Sequence, residues 1–179
     1  MATLVRCTTL TPRLKRNGVG NRLLTAVIEQ ENQPMRYEKV TLKQGACLCG
    51  SLLNQAFDEA GTPNHAFCLD ESIYDALDAS KSFGIVAFDG ETIAGFCSVF
   101  VYPAAHYASL VAANDVIYVQ PSYRNSLLAG RLMAMAESEA KLRGAALFQW
   151  AAGENTPLDL ALSKRSSYRL LQKVYFKEL

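Results

Sequence analysis

One stretch of the sequence, residues 114–143, restricts the possible folds more than any other. It starts with a β-branched and aromatic run over residues 115–119, which is typical of a buried strand and is ended by Pro121. From Leu128 onward, apolar residues recur at helical spacing, and Gly144 is a natural stop for that helix. The sequence therefore predicts a strand, a short polar loop and a long amphipathic helix, in that order.

The loop between this strand and this helix has the chemistry of an anion-binding site. A helix that begins here has free backbone N–H groups and the positive end of its dipole at the loop. Arg124 adds a cation at the same place. The pattern predicts a phosphate or pyrophosphate group held just beyond the end of a strand.

Composition excludes several classes of protein. The chain has 179 residues, half of them hydrophobic, which is enough for one good core. Its net charge of +1 gives no strong signal for nucleic acid, and no apolar run is long enough to cross a membrane. Five cysteines without CxxC spacing favour reduced thiols, so we expect a cytoplasmic protein rather than a disulfide-stapled one.

The rest of the chain supplies further strands and helices. Asp70 is expected to cap one helix, Thr156 and Pro157 to begin another, and a third to end near Gly61. Asp89-Gly90 is a strong hairpin signal. The expected strands are residues 35–42, 83–88, 92–102, 145–151 (buried) and 168–176, the last closing the sheet.

This order of elements indicates an α/β (α+β) fold, with a mixed twisted sheet and helices on both faces. Residues 34–179 would form the domain, and residues 1–33 an N-terminal extension. The extension combines basic residues with an apolar run, Leu23 to Ile28, a mixture that suits an interface. It would cover a partner, either a second copy in a homodimer or a target protein; a helix packed on its own domain is the alternative.

The loop also resembles a known family. Tyr123-Arg124, followed at a fixed distance by Ala129-Gly130-Arg131-Leu132, resembles the acetyl-CoA-binding segment of GNAT N-acetyltransferases. In the family pattern Gln/Arg-x-x-Gly-x-Gly/Ala, Arg124 and Ala129 hold the first and last positions, and Leu127 replaces the middle glycine. Further matches resemble the branch common in bacteriophages: Ala94-Gly95-Phe96, Tyr102-Pro103, His106-Tyr107, Asp115 and the ending Tyr175-Phe176-Lys177-Glu178-Leu179.

The resemblance implies a GNAT acyl-CoA N-acyltransferase fold and acetyl-CoA as co-substrate, in the host cytoplasm if the protein is phage-encoded. Backbone groups of Ile117, Tyr118 and Val119 would hold the pantetheine and polarise the thioester carbonyl. Asn155 would bind the pantetheine, or belong only to the turn after Gly153. Around the pyrophosphate would lie Arg124, Asn125, Ser126, Leu127, Leu128, Ala129, Gly130 and Arg131, although Arg131 is equally a solvated helix residue.

Three residues are candidates for proton transfer. Asp115 stands at the start of the core strand, where many family members place a catalytic carboxylate, or it is an edge-of-strand aspartate with a local partner. His106 carries an imidazole, a group suited to proton transfer near neutrality, or it is an incidental loop histidine. Ser163 stands where many members carry a tyrosine, so Tyr107 would serve as the acid, or Ser163 would order a water, or no acid is needed. Two distant histidines, and cysteines without ligand spacing, predict no metal.

Two functions therefore compete. The first is an N-acetyltransferase that moves the acetyl group of acetyl-CoA to an amine of a small molecule or host protein. The second is a GNAT-like protein with weak or no catalysis, which acts by docking to a host protein. Leu127 and Ser163 favour the second, whereas Arg124, Ala129 and Asp115 favour the first.

Overall fold

A computed structural model describes residues 34–60, 67–78, 80–106, 108–174 and 177. Its strands are β1 (Arg36–Val40), β2 (Phe83–Asp89), β3 (Thr92–Ala104), β4 (Ser109–Val119) and β5 (Ala145–Gln149). Its helices are α1 (Leu42–Ala60), α2 (Glu71–Asp78), α3 (Leu128–Leu142) and α4 (Pro157–Ser163), and a short 3-10 turn spans Pro121–Tyr123. The predicted extension, residues 1–33, lies outside the described residues.

The five strands form one mixed sheet in the order β1-β2-β3-β4-β5. β1 to β4 are antiparallel neighbours, and β5 is parallel to β4. A parallel pair needs a crossover, which α3 provides between β4 and β5. The predicted mixed sheet with helices on both faces is confirmed.

Each face of the sheet carries its own hydrophobic core. On one face α3 inserts Leu128, Leu132, Ala136 and Ala140 among buried residues of β2, β3 and β4. These four positions have the spacing that the sequence showed, so the amphipathic face of α3 was predicted correctly. On the other face α1 packs Cys49, Leu52 and Leu53 against Val86, Phe88, Phe96 and Tyr118.

α1 begins at Leu42, directly after Thr41. A capping box explains this start, since the Thr41 N–H donates to Gln44 Oε1 and the Gln44 N–H donates to Thr41 Oγ1. The Asp78 carboxylate, at the end of α2, also accepts from the Leu42 and Lys43 N–H groups. Leu42, predicted as the end of a strand, is therefore the first residue of α1.

The predicted caps of α2 and α4 are confirmed. Asp70 Oδ1 accepts from the Ser72 N–H at 2.9 Å, at the start of α2. Thr156 caps α4 with Pro157 at its first turn. β2 and β3 form the predicted hairpin, in which Gly90 has φ of 58°.

Three predictions about the second half of the chain are wrong. Residues 168–174 form no strand, so within the described residues β5 pairs only with β4; Tyr175 and Phe176 lie outside them. β5 is consequently half exposed rather than buried, with Leu147 49% exposed. β4 starts at Ser109, six residues before the predicted strand, because pairing with β3 extends a segment that has weak strand propensity of its own.

The described cysteines are free thiols. Cys49 and Cys97 are buried, whereas Cys47 and Cys68 are exposed. Within the described ranges, no helix is long and apolar enough to cross a membrane.

Candidate active site

β4 changes its pairing at Asp115. Val116 pairs with Ser98 and Asn114 pairs with Val99, so Asp115 is an extra residue without a partner on β3. Such β-bulges redirect a side chain and are frequent beside active sites. Ser98 holds the bulge together, because its hydroxyl accepts from the Val116 N–H at 3.2 Å and donates to Asp115 Oδ2 at 3.0 Å.

The Asp115 side chain opens into a recess on the α1 face of the sheet. Leu53, Tyr74 and Phe96 are among the residues that line this recess. Although Asp115 as a residue is exposed, the recess removes part of the water around its carboxylate. This desolvation raises the pKa of Asp115 above its ordinary value, and the hydrogen bond from Ser98 offsets part of the rise.

β4 and β5 separate just beyond Ala113. Pairing between the two strands ends at Ala113 and Gln149. The side chain of Asn114 then bridges β4 to the segment that follows β5. Its Nδ2 donates to the Ala151 carbonyl at 3.1 Å, and its Oδ1 accepts from the Ala151 N–H at 2.6 Å. Beyond this bridge, residues 115–119 have no β5 partner in the described part of the chain. Alternate backbone groups there face the gap and are available to a ligand.

The start of α3 lies next to the end of this gap. The Leu128 N–H donates to Ser126 Oγ at 3.2 Å, and the Arg131 N–H donates to the Leu127 carbonyl. Among the described residues, the N–H groups of Ala129 and Gly130 have no acceptor. They are the open donors that an anion site at a helix N-terminus requires.

The loop that leads into α3 is tethered from several sides. Gln120 Nε2 donates to the Ile93 carbonyl at 2.6 Å, and the Tyr123 hydroxyl donates to Asp89 Oδ2 at 3.0 Å. Asn125 has φ of 64°, a conformation that asparagine tolerates better than most residues. Leu127, in the place of the family's glycine, is 76% exposed, so its side chain points away from the core.

Arg124 is held by contacts on two sides. Its Nε donates to the Val119 carbonyl at 2.9 Å, and its Nη2 lies 2.9 and 2.7 Å from the two carboxylate oxygens of Glu59. Its guanidinium carbon is 5.4 Å from the centre of the Tyr118 ring. The predicted cation therefore stands at the mouth of the loop with part of its charge already paired.

The other predicted residues are more dispersed. His106 is exposed in the turn between β3 and β4, and Tyr107 lies outside the described residues. Six residues of strand separate Ser109 from Asp115, which is about 20 Å of β4. His106 therefore lies in the turn before β4, whereas Asp115 lies well inside the strand. Ile117, Tyr118 and Val119 lie along the part of β4 that has no β5 partner among the described residues.

Two residues near α4 also have clear positions. Asn155 is exposed, has φ of 62° and donates its backbone N–H to Asp159 Oδ2, so it belongs to the turn before α4. Ser163 ends α4 with its hydroxyl donated to the Leu160 carbonyl.

Arg131 is exposed on the first turns of α3.

Sequence reasoning missed Ser98, Asn114 and Glu59. Ser98 and Asn114 looked like ordinary strand residues, because a bulge and a strand separation depend on pairing partners. Glu59 lies 65 residues before Arg124. No local signal connects two residues so far apart. Among the described residues, no group of three or more His, Cys, Asp or Glu side chains could hold a metal ion.

A known protein family matches the part of the chain that contains this site. The model of the acetyltransferase (GNAT) family matches residues 51–159, more than half of the chain. This range contains α2, β2 to β5 and α3, and therefore the bulge, the gap and the loop described above. No curated protein matches the chain.

Solved structures share its fold. An aminoglycoside acetyltransferase from an uncultured soil metagenomic sample, in complex with trehalose, has a TM-score of 0.66 and 13% identity, covering 81% of this chain and 96% of that one. Ribosomal-protein-alanine N-acetyltransferase from Brucella melitensis biovar Abortus 2308 has a TM-score of 0.64 and 15% identity, covering 82% and 100%. A transcriptional regulator from Bacillus halodurans C-125 has a TM-score of 0.57 and 22% identity, covering 79% and 100%.

Proposed function

The chain belongs to the GNAT family of acetyltransferases, and from this premise we propose that it transfers the acetyl group of acetyl-CoA to an amine. One observation carries the proposal. The unpaired edge of β4, residues 115–119, runs directly to the open N-terminus of α3. An extended ligand with an anionic group at one end fits this combination of free strand edge and free helix N–H groups.

The residues present suit acetyl-CoA. Backbone groups of Ile117, Tyr118 and Val119 would hold the pantetheine and orient the thioester carbonyl. The free N–H groups of Ala129 and Gly130 would take the pyrophosphate, with Asn125 to Leu128 around it and Arg124 and Arg131 as cations. Asn155 stands before α4 as a further candidate for the pantetheine. When bound, acetyl-CoA supplies the activated acyl group.

Asp115 is the residue we propose for proton transfer. The attacking amine must lose a proton as its nitrogen bonds to the acetyl carbon and the thiolate departs. A carboxylate whose pKa is raised by desolvation is a better base than an ordinary aspartate. The proton would pass to Asp115 directly or through a water in the recess, with Ser98 holding the carboxylate in place.

The residue that would protonate the departing CoA thiolate differs from the tyrosine that many family members use. Ser163 has its hydroxyl engaged with the Leu160 carbonyl, and a serine is a poor proton donor. Tyr107, outside the described residues, remains the proposed acid, and His106 remains an alternative base. The acceptor is a small molecule or a protein. Both kinds of acceptor occur among the proteins that share the fold. One is an aminoglycoside acetyltransferase, and another is a ribosomal-protein-alanine N-acetyltransferase.

The second candidate is a GNAT-shaped binding protein with weak or no catalysis. The exposed Leu127 favours it, because a Cβ at this position restricts how closely a phosphate approaches the loop. Several other assignments stay predictions: docking or dimerisation through residues 1–33, a phage origin and a place in the host cytoplasm.

The decisive experiment measures acetyl-CoA binding by calorimetry and thermal shift, followed by release of free CoA thiol in the presence of amines. We expect binding, and a rise in Tm of the native state with ligand concentration. Arg124→Glu should weaken binding at least tenfold because it places an anion beside the phosphates. Lys177→Glu makes the same charge change on the exposed C-terminal segment and should leave the Kd unchanged.

Binding without thiol release, across small amines and peptides with free amino groups, would favour the binding protein instead. Equal affinity in the wild-type chain and Arg124→Glu would show that the cofactor site is elsewhere.

A further inference from the structure

Glu59, in the last turn of α1, is at the centre of a small cluster of polar side chains beside the loop that precedes α3. Its carboxylate oxygens lie 2.9 and 2.7 Å from Arg124 Nη2, and its Oε1 accepts from the Tyr118 hydroxyl at 2.9 Å. Gln55, one turn earlier in α1, lies 3.4 Å from the same hydroxyl. Through these contacts α1 reaches across to β4 and to the loop that precedes α3.

The cluster leaves one edge of the Arg124 guanidinium open. Nε is bound to the Val119 carbonyl and Nη2 to Glu59, whereas Nη1 has no acceptor among the described residues. The plane of the group is further restricted by the Tyr118 ring beneath it. The contacts with Val119, Glu59 and the Tyr118 ring therefore fix the direction in which the guanidinium points.

We propose that Glu59 is a positioning residue for acetyl-CoA binding, which fixes Arg124 so that Nη1 is presented to the pyrophosphate. This inference rests on the proposed function, because it concerns the same loop. Glu59 touches no substrate. It acts through Arg124, by removing the rotamer freedom that an exposed arginine would otherwise lose on binding.

Two effects of Glu59 oppose each other. Its negative charge repels phosphates, and its hydrogen bonds orient the cation that attracts them. The Glu59 charge is already balanced by Arg124 at 2.7 Å, so the pair as a unit presents little net charge to the ligand. Orientation is then the larger effect, and loss of Glu59 should weaken binding rather than strengthen it.

The test uses calorimetric titration of the full chain with acetyl-CoA, for the wild type and three variants. Glu59→Ala should raise the Kd about three- to tenfold, in line with the freedom regained by one long side chain. Glu59→Gln keeps an oxygen that accepts from Arg124 and should stay within about twofold of the wild type. Asp58→Asn is the matched control, because Asp58 contacts Asn54 and not Arg124.

A double-mutant cycle isolates the mechanism. In an Arg124→Ala background, Glu59→Ala should cause no further loss, since the group that it positions is gone. Equal losses in both backgrounds would show a general effect on the fold and overturn the inference. A lower Kd in Glu59→Ala or Glu59→Gln would show that Glu59 competes with phosphate for Arg124, which also overturns it.

The outcome for the wild-type chain separates this inference from the proposed function. If the wild type binds acetyl-CoA and Glu59→Ala binds equally well, only the positioning role fails. If the wild type has no measurable affinity, the proposed function fails and takes the positioning role with it.

Discussion

At the scale of single residues, the position of Asp115 combines three features in one side chain. It is the extra residue of a β-bulge, it faces a recess on the α1 side, and it takes a hydrogen bond from Ser98. The bulge explains why a carboxylate is tolerated in the middle of an apolar strand, since it turns the side chain out of the ladder. Without the bulge, the alternation of the strand would send it to the opposite face.

This geometry makes a prediction about pH. Because the pKa of Asp115 is raised, the carboxylate loses its proton at a higher pH than an ordinary aspartate. The acetyl-transfer kcat/KM should therefore rise as pH increases through that pKa and then level off. Asp115→Asn should reduce kcat/KM by about 10²–10⁴-fold and leave acetyl-CoA affinity largely unchanged.

Ser98→Ala refines the same experiment. The Ser98 hydrogen bond lowers the pKa of Asp115, so its removal should move the rising limb of the pH profile to higher pH. His106→Ala, measured in parallel, should keep the wild-type profile. A large loss in His106→Ala together with normal activity in Asp115→Asn would transfer the base to His106.

At the scale of secondary-structure elements, the separation of β4 and β5 creates the gap beside residues 115–119. Asn114 stands at the branch point, 7% exposed, and continues the pairing for one more step through its side chain. Its two hydrogen bonds decide where the strands part. The free edge from residue 115 onward is a consequence of this arrangement, as is the short length of β5.

Asn114→Ala tests this role. The change leaves the backbone N–H and carbonyl of Ala151 without partners and should lower the free energy of unfolding by about 1–3 kcal/mol. It should also weaken acetyl-CoA binding, because the width of the gap is no longer fixed. Urea denaturation and calorimetry measure the two effects.

Asn54→Ala provides the comparison, since Asn54 is an exposed residue of α1 whose side chain donates a hydrogen bond to Asp58 in the same helix. It should have normal affinity and stability. If Asn114→Ala is as stable and binds as tightly as the wild type, the strand separation does not depend on this side chain.

At the scale of the whole molecule, one ionic network joins elements distant in sequence. Glu139 on α3 is 8% exposed and accepts hydrogen bonds from Lys39 on β1 and from Arg143 just after α3. Arg143 also donates to the Lys81 and Ser82 carbonyls and lies over the Phe83 ring. Glu139 and Arg143 form an i,i+4 ion pair, and Glu137 accepts hydrogen bonds from Trp150 and Tyr168.

The network predicts how stability depends on pH. The hydrogen bond from Lys39, followed by Arg143, lowers the pKa of Glu139 in the folded protein. A lowered carboxyl pKa stabilises the fold above the unfolded-state pKa of about 4.3, and this stabilisation is lost as pH falls through the folded-state value. Glu139→Gln should thus cost about 1–3 kcal/mol at pH 7 and progressively less below pH of about 4.

Urea denaturation across this pH range measures the difference, with Glu91→Gln as the control because Glu91 is exposed in the β2–β3 turn. A cost that does not depend on pH would mean that the charge of Glu139 is unimportant and that only its shape matters.

Much of the architecture was determined by the sequence alone. Local signals decide a helix cap, a hairpin glycine or an apolar stripe, so α2, α3, α4 and the β2–β3 hairpin were predicted from a few residues each. The capping box at Thr41 and Gln44 is likewise a local pattern, Thr-x-x-Gln, in the sequence. The ordered residue matches around Arg124 and Ala129, together with those outside the loop, similarly indicated the family.

Only the tertiary structure decided the chemistry of the site. The bulge at Asp115 arises from its register with β3, the gap from the branch point at Asn114, and the orientation of Arg124 from Glu59 on a distant helix. The exposure of β5 and the unpaired residues 168–174 likewise depend on what lies beside them. Propensity acts over a few neighbouring residues, whereas pairing, burial and pKa are set by groups that the fold brings together from far apart in sequence.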